Sequence, residues 1–175
     1  MMNQLNVKLI TLMTENKPYK FGIIGLLFII PALLYFYEDD RKIEEPFKCY
    51  GFTEYALLDN KDIVTFDLSQ DFRIFSKDVA YISFNGMVKS PSSETFLNRT
   101  VNLKSARYLD SDTIKFYVSS IEKSPSDNTS DRLFSLLLNE YNFSGKSFTL
   151  DVSEAEKSTW ILGNSSSFIM TCVQY

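Results

Sequence analysis

The stretch Val79–Val88 reads VAYISFNGMV, and its apolar residues fall on every second position. Ile82, Phe84 and Val88 would share one face of an extended strand, while Tyr81 and Ser83 would lie on the other. Side chains alternate between the two faces of a strand, so a period of two indicates a sheet with one buried face. The stretch therefore predicts a half-buried β-strand.

The same alternation recurs along the rest of the chain. Four further stretches show it: DIVTFDL (Asp62–Leu68), TFLNRTVNL (Thr95–Leu103), TIKFYVSS (Thr113–Ser120) and SFTLDV (Ser147–Val152). The stretch SFIMTCVQY (Ser167–Tyr175) is rich in β-branched and aromatic residues. Several short runs of this kind are typical of an antiparallel sheet with one face packed on a core.

One segment breaks the period of two. SPSDNTSDRLFSLLLNEY (Ser124–Tyr141) begins with polar residues, which we interpret as a solvated turn. Ser130 or Asp131 is then a candidate N-cap, and Leu133, Leu137 and Tyr141 follow at helical spacing. The segment predicts one amphipathic helix of about three turns. We expect an α+β fold in which a small sheet curls around this helix or is covered by it.

The run Phe21–Tyr37 is apolar over 17 residues. As a helix it would be about 25 Å long, at the short end for a hydrocarbon core of about 30 Å. Pro31 is tolerated in a membrane helix, and Tyr37 favours the interface. A buried core helix would need a polar face, and a cleaved signal would need small residues where LLYFYEDD stands. We therefore predict a single transmembrane helix.

Charge near this run predicts the topology. Lys8, Lys17 and Lys20 precede it, whereas acidic residues follow it directly. The positive-inside rule then places the N-terminus in the cytoplasm. The predicted organisation is a cytoplasmic tail over 1–20, an anchor over 21–37, a linker over 38–46 and an exported β-rich domain over 47–175.

Composition argues against several classes of function. The net charge is −4 and the chain contains no histidine. Direct binding to nucleic acid would require a basic surface. Histidine is the commonest general base and a common metal ligand. Phosphate-binding glycine loops and nucleophile elbows are also missing from the sequence. We expect no enzyme, no catalytic residue, no metal and no cofactor.

Two cysteines, Cys49 and Cys172, lie near the two ends of the predicted exported domain. In an oxidising compartment such a pair forms one disulfide. Closure of a loop this long would stabilise the fold by roughly 4–5 kcal/mol. Two separate buried thiols are the alternative.

Four phenylalanines stand out in the predicted exported domain: Phe84, Phe116, Phe148 and Phe168. Such side chains fill a core, but they also line cavities for apolar ligands. The sequence leaves both interpretations open.

A set of short patterns gives the chain a recognisable layout. They are PFKCYG (46–51), YISFNGMV (81–88), FLNRTVNL with Arg99 (96–103), the helix DRLFSLLLNEY (131–141) and SSFIMTCVQY (166–175). With the basic tail and the single anchor, this layout resembles the FidL-like small membrane proteins of enteric bacteria. Those proteins are similar to the ToxS and VtrC group of co-component partners.

The resemblance implies a location, a fold and a function. The chain would lie in the bacterial inner membrane, with a periplasmic domain folded as a lipocalin-like partial barrel. That domain would form a heterodimer with a ToxR-like membrane-bound transcription regulator and stabilise it. The pair could share a pocket for a small amphipathic ligand such as a bile salt. The alternative is a structural or assembly subunit of a cell-envelope secretion or pilus system.

Overall fold

The computed structural model describes residues 43–143 and 146–175. These residues form eight strands and one helix: β1 (Phe47–Asp59), β2 (Asp62–Ser76), β3 (Val79–Ser90), β4 (Ser93–Tyr108), β5 (Thr113–Lys123), α1 (Asp131–Glu140), β6 (Ser147–Glu156), β7 (Thr159–Gly163) and β8 (Phe168–Gln174). Each strand pairs antiparallel with the next one in the sequence. Because β8 also pairs antiparallel with β1, the sheet closes into a barrel.

Tight turns connect most neighbouring strands and place them side by side. Only residues 60–61 separate β1 from β2, and only residues 157–158 separate β6 from β7. Asn60 and Ser158 have φ values of 60° and 64°, the left-handed conformation that tight hairpins need. The result is an up-and-down barrel in which every strand neighbours its sequence neighbours.

The interior of the barrel is filled with side chains. Alternate residues of β2, such as Val64, Phe66 and Leu68, are buried. The largest fully buried side chains are Tyr141, Phe47, Phe66, Phe72, Phe84, Phe116, Leu68, Ile74, Leu97, Ile114, Leu137 and Leu150. Interdigitated apolar side chains of this kind form a packed core.

The helix α1 supplies part of this core. Ser130 is its N-cap, and the Ser130 hydroxyl accepts a hydrogen bond from the Leu133 backbone N–H. The helix buries Leu133, Phe134, Leu137 and Leu138. Phe134 contacts Phe84 of β3 edge-on, with ring centroids 5.7 Å apart. The amphipathic helix and its N-cap are therefore present as the spacing predicted.

The junction between β1 and β8 closes the barrel. Cys49 pairs with Gln174 and Tyr50 with Val173. A Cβ atom at Gly51 would overlap the carbonyl oxygen of Thr171, so the two strands approach closely only because this residue is glycine. A disulfide joins Cys49 to Cys172, with Cα atoms 5.5 Å apart. The predicted disulfide is confirmed.

The predicted fold class is wrong. The described chain is nearly all β, and its sheet is a closed barrel of eight strands with one short helix. It is neither an α+β fold nor a curled sheet or partial barrel. The sequence analysis did not predict β1 and β7, and both strands are part of the closed barrel. In this barrel β1 joins β2 to β8 and β7 joins β6 to β8, so the pairing is interrupted at two places without them.

The N-terminal predictions fall mostly on residues that the structure does not describe. The tail over 1–20, the anchor over 21–37 with Phe21, Pro31 and Tyr37, and residues 38–42 of the linker lie outside the described ranges. Within residues 43–143 and 146–175, no helix has the length and apolar character needed to cross a bilayer.

Candidate functional site

The four phenylalanines singled out from the sequence do not lie together. Phe84, Phe116 and Phe148 are buried in the barrel, and the rings of Phe116 and Phe148 stack with centroids 5.6 Å apart. Phe168 is 58% exposed at the start of β8. Three of the four side chains therefore pack in the core and the fourth faces solvent.

A polar cluster lies inside the apolar interior. Gln70 is fully buried, and its Nε2 donates to the Tyr55 hydroxyl at 2.9 Å. The Tyr55 hydroxyl donates to the carbonyl oxygen of Ile169 at 2.8 Å. The Tyr141 hydroxyl, just beyond α1, donates to Gln70 Oε1. The cluster thus connects β1, β2 and β8 with the end of the helix.

Both tyrosines of this cluster are held as neutral hydroxyls. Burial, together with the adjacent Tyr55, raises the pKa of Tyr141 well above its ordinary value. Burial also raises the pKa of Tyr55, and it outweighs the opposing effect of the hydrogen-bond contacts with Tyr141 and Gln70. Neutral hydroxyls with their partners in place stabilise the position of the helix, and no group here is poised to act as a base.

A second buried cluster lies where α1 begins. The Arg99 guanidinium of β4 contacts the Asp127 carboxylate through Nε at 2.9 Å and the Asp131 carboxylate through Nη1 at 2.7 Å. Its Nη2 also donates to the carbonyl oxygen of Thr129 at 2.6 Å. The guanidinium lies over the Phe134 ring, 4.7 Å from the centroid. Arg99 therefore fixes the segment before α1 and the first turn of the helix to the barrel wall.

The Asp127 carboxylate is fully paired. It accepts hydrogen bonds from the backbone N–H groups of Asn98 and Thr129, both at 2.9 Å. Lys123 Nζ lies 3.4 Å from it. Burial raises the pKa of Asp127, but the hydrogen bonds from Arg99 and Asn98 outweigh it, so the net pKa lies below its ordinary value. The charge is satisfied, which fits a structural ion pair.

An exposed apolar patch covers the outside of the β1–β8 junction. The rings of Tyr50 and Phe52 meet edge-on with centroids 5.2 Å apart. Phe52 is 75% exposed, and Val173 and Tyr175 beside it are also exposed. These side chains line a groove on the outer wall together with Gly51 and Thr171. Exposed aromatic groups of this kind are typical of surfaces that bind other macromolecules.

A second groove runs along β5 and has a different character. It is lined by Lys104, Ser105, Tyr117, Val118, Ser119, Ile121, Phe143 and Lys146. This lining contains two lysines and no carboxylate. Lys115 lies nearby, with its Nζ 5.6 Å from the centroid of the Tyr117 ring. The groove is therefore partly apolar and locally basic, on a chain whose net charge is negative.

Metal-binding chemistry has no counterpart in the described residues. Among residues 43–143 and 146–175, no group of three or more aspartate, glutamate or cysteine side chains is arranged to hold a metal ion. The polar clusters that do exist, around Gln70 and around Arg99, are occupied by their own hydrogen bonds.

The burial of three polar residues was not predicted from the sequence. Asp127 and Thr129 are buried, although their segment was interpreted as a solvated turn. Gln70 was overlooked too, although a signal was present. It stands between Leu68 and Phe72 in the period of two and so faces the interior with them.

Fold and site together define an antiparallel up-and-down β-barrel with a filled interior, a disulfide at its closing junction and exposed grooves on its outer wall. Residues 86–172 match the model of the family described as FidL-like putative membrane protein. The matched residues run from β3 to β8 and include Arg99, Asp127, α1 and Cys172. No curated protein matches the chain.

Proposed function

We propose that this protein is a membrane-anchored accessory protein that binds another membrane protein through the outer wall of its barrel. The partner in this proposal is the periplasmic domain of a ToxR-like transcription regulator in the bacterial inner membrane. The apolar run over 21–37 would anchor the chain in that membrane. The likeness of residues 86–172 to a family of membrane proteins supports this setting.

The filled interior carries the proposal. The core of the barrel is occupied by large side chains, including Phe66, Phe72 and Phe116, each without exposed surface. Gln70, the polar residue among them, is satisfied by Tyr55 and Tyr141. Among the described residues, the large side chains of the interior pack on one another, as Phe72 and Phe116 do with ring centroids 5.8 Å apart. In this proposal, binding therefore uses the outer surface, where apolar side chains are exposed.

Anchoring in one membrane would help such an interaction. Two domains tethered to the same bilayer meet at a high effective concentration, so a modest interface is well occupied. A regulator whose periplasmic domain is unstable alone would be stabilised by mass action when this barrel binds it. This is how the barrel would influence transcription without touching DNA.

An amphipathic ligand such as a bile salt enters this proposal only at the interface. Since the barrel interior is filled, a shared pocket would have to form between its outer wall and the partner. The exposed rings of Tyr50 and Phe52 illustrate the apolar surface that the outer wall could contribute.

Co-purification tests the proposal. The full-length chain, tagged at its N-terminus, is extracted from membranes in mild detergent together with the ToxR-like regulator encoded beside it. We expect the regulator to co-purify, and its cellular level to fall when the accessory gene is deleted. An unrelated membrane protein with one span serves as the control. Recovery of secretion or pilus components in place of the regulator would favour the assembly alternative.

A further inference from the structure

Strand β5 extends beyond the strand that pairs with its outer edge. On one side it pairs with β4 as far as Lys123, opposite Arg99. On the other side its pairing with β6 runs from Thr113 to Tyr117. One further backbone bond follows, from the Val118 N–H to the Lys146 carbonyl oxygen at 2.8 Å. Among the described residues, no strand pairs with Ser119–Lys123 on that outer side.

The edge starts where β6 starts, because Ser147, the first residue of β6, pairs with Tyr117 and β5 continues to Lys123; a β-bulge lies beside this point. The register between β4 and β5 shifts next to Asn102, where Val118 and Ser120 pair with consecutive residues of β4 and Ser119 is left over. An extra residue bends the bulged strand. The residues of β5 beyond the bulge, from Ser119 to Lys123, are all exposed.

The same edge opens a window in the barrel wall. Ile121 pairs directly with Val101, so both side chains face inward. Val101 is buried, whereas Ile121 is 44% exposed. Among the described residues, no strand lies beside the inward-facing side chain of Ile121 on this side of β5. Val118 and Phe143, both partly buried against the core, flank the opening.

The charged residues around this opening indicate which kind of binding partner fits it. The groove below the edge contains Lys104 and Lys146 and no carboxylate. Glu122 lies outside this lining, and its carboxylate accepts a hydrogen bond from Asn102 Nδ2 at 2.7 Å. The groove at the β1–β8 junction, by contrast, has no charged lining residue and gives no indication of its occupant.

We propose that the outer edge of β5, Ser119–Lys123, receives an extended segment of a partner protein as an added strand. Backbone hydrogen bonds would provide the pairing, as in other cases of strand addition. Apolar side chains on one face of the added strand would cover Ile121 and Phe143. Acidic side chains on its outward face would meet Lys104 and Lys146 at the Tyr117–Val118 end of the edge, whereas Glu122 lies on that face towards the other end. The proposed function supplies the identity of the partner; the edge and its chemistry are properties of this chain.

A peptide with this chemistry tests the proposal without knowledge of the partner. The probe is a ten-residue peptide of alternating valine and glutamate, with a fluorescent label, titrated against the full-length chain in detergent micelles. We expect binding at least tenfold tighter than for the matching valine–lysine peptide. N-methylation of every second residue in the register that faces β5 should abolish binding, whereas N-methylation in the other register should not.

Paired variants locate the peptide on the barrel. Ile121→Glu should weaken binding at least tenfold, and so should Lys104→Glu combined with Lys146→Glu. Ile63→Glu is the matched control, since Ile63 is also exposed but lies on β2. Hydrogen exchange at residues 119–123 should slow when the peptide binds. Unchanged urea midpoints show that the variants fold.

The outcomes separate this proposal from the proposed function. No binding of the valine–glutamate peptide, or equal binding of both peptides, overturns the edge proposal. So does a dimer cross-linked through Ile121→Cys, which would assign the edge to a second copy of the chain. If the regulator co-purifies but Ile121→Glu leaves it bound, the proposed function stands and the edge proposal fails. If the peptide binds and the regulator does not, the reverse holds.

Discussion

At two junctions of the barrel, β1–β8 and β5–β6, a long strand is left mostly unpaired along one edge, and the two junctions are secured differently. At the β1–β8 junction, Cys49 and Tyr50 form the ladder, and the disulfide from Cys49 to Cys172 locks it. At the β5–β6 junction the ladder stops at Tyr117, and the side chains of α1 and the Arg99 cluster complete the core beside it. The first junction is closed covalently, and the second depends on packing and charge. The number of paired residues at a junction therefore does not indicate how firmly that part of the barrel wall is held.

Removal of the covalent lock should have the largest effect. The double variant Cys49→Ala/Cys172→Ala frees a loop with a sequence separation of 123 residues. We expect the free energy of unfolding to fall by about 5 kcal/mol, because the unfolded chain gains the entropy of the open loop. The measurement is urea unfolding followed by the fluorescence of Trp160, the single tryptophan, which packs on Phe47 at this junction.

Reductant provides the control for that experiment. It should lower the stability of the wild-type protein by a similar amount and leave the double variant unchanged. A loss below 1 kcal/mol would mean that the β1–β8 junction holds without its disulfide.

Disruption of the Arg99 cluster should cause the next largest loss of stability. Arg99→Ala leaves the Asp127 carboxylate, whose side chain is 0% exposed, without its main cation. Breaking a buried ion pair in this way costs about 3–5 kcal/mol. Urea unfolding measures the loss. Arg73→Ala is the matched control, because Arg73 pairs with Asp71 on the outer wall, where such pairs contribute about 1 kcal/mol or less. Equal losses in the two variants would contradict a special role for the buried cluster.

Acid should weaken the same cluster by a smaller amount, because Arg99 remains in place. The pKa of Asp127 is lower in the folded chain than its ordinary value of 3.8. Its contribution to stability is therefore complete above that value and is lost as the pH falls through the folded pKa. Urea midpoints between pH 7 and pH 2 should show this loss in the wild type. In Asp127→Asn the loss should be smaller, while Asp62→Asn, at the exposed start of β2, should behave as wild type.

The smallest loss of stability should come from changes in the polar cluster around Gln70, which connects β1, β2 and β8 with the end of α1. Tyr141→Phe removes the donor to Gln70 Oε1 and leaves a buried acceptor unsatisfied. The expected loss is about 1–3 kcal/mol. Tyr117→Phe, at an exposed position of β5, should change stability by about 0.5 kcal/mol or less. A loss in Tyr141→Phe as small as in the control would show that water replaces the missing hydroxyl.

The local structure was largely predictable from the sequence. The alternation in Asp62–Leu68, Val79–Val88 and Thr95–Leu103 corresponds to the cores of β2, β3 and β4. The helical spacing of Leu133 and Leu137 corresponds to α1. Each of these signals depends on residues a few positions apart, whose burial is set by the geometry of one element.

Closure of the barrel was not predictable in the same way. It depends on the contact between Gly51 and Thr171, which are far apart in the sequence. The strand β7 spans only Thr159–Gly163, too short for an alternating pattern to stand out. A partial barrel and a closed one therefore look alike from their alternation, and the decisive contacts are long-range.

The buried polar residues were hidden for a different reason. Asp127 and Thr129 lie in SPSDNTSD, a composition that favours solvated turns. They are buried because Arg99, on β4, donates hydrogen bonds to the Asp127 carboxylate and the Thr129 carbonyl oxygen, and these bonds hold the segment against the barrel wall. The composition of a segment indicates its local preference for a turn. It does not show which charged residue from another strand will contact the segment in the folded protein.

The disulfide and the closing strand β8 both depend on the last part of the chain to be synthesised. Cys172 is synthesised 123 residues after Cys49, which at ordinary rates of translation is roughly 6 to 25 s later. During that interval β1 has one neighbour in the sheet, and its other edge waits for β8. A nascent chain of this protein therefore carries a free thiol and an unsealed β-edge until its closing strand is made. A chaperone that binds the nascent chain would meet it in that open form, before the bond between the two cysteines can form.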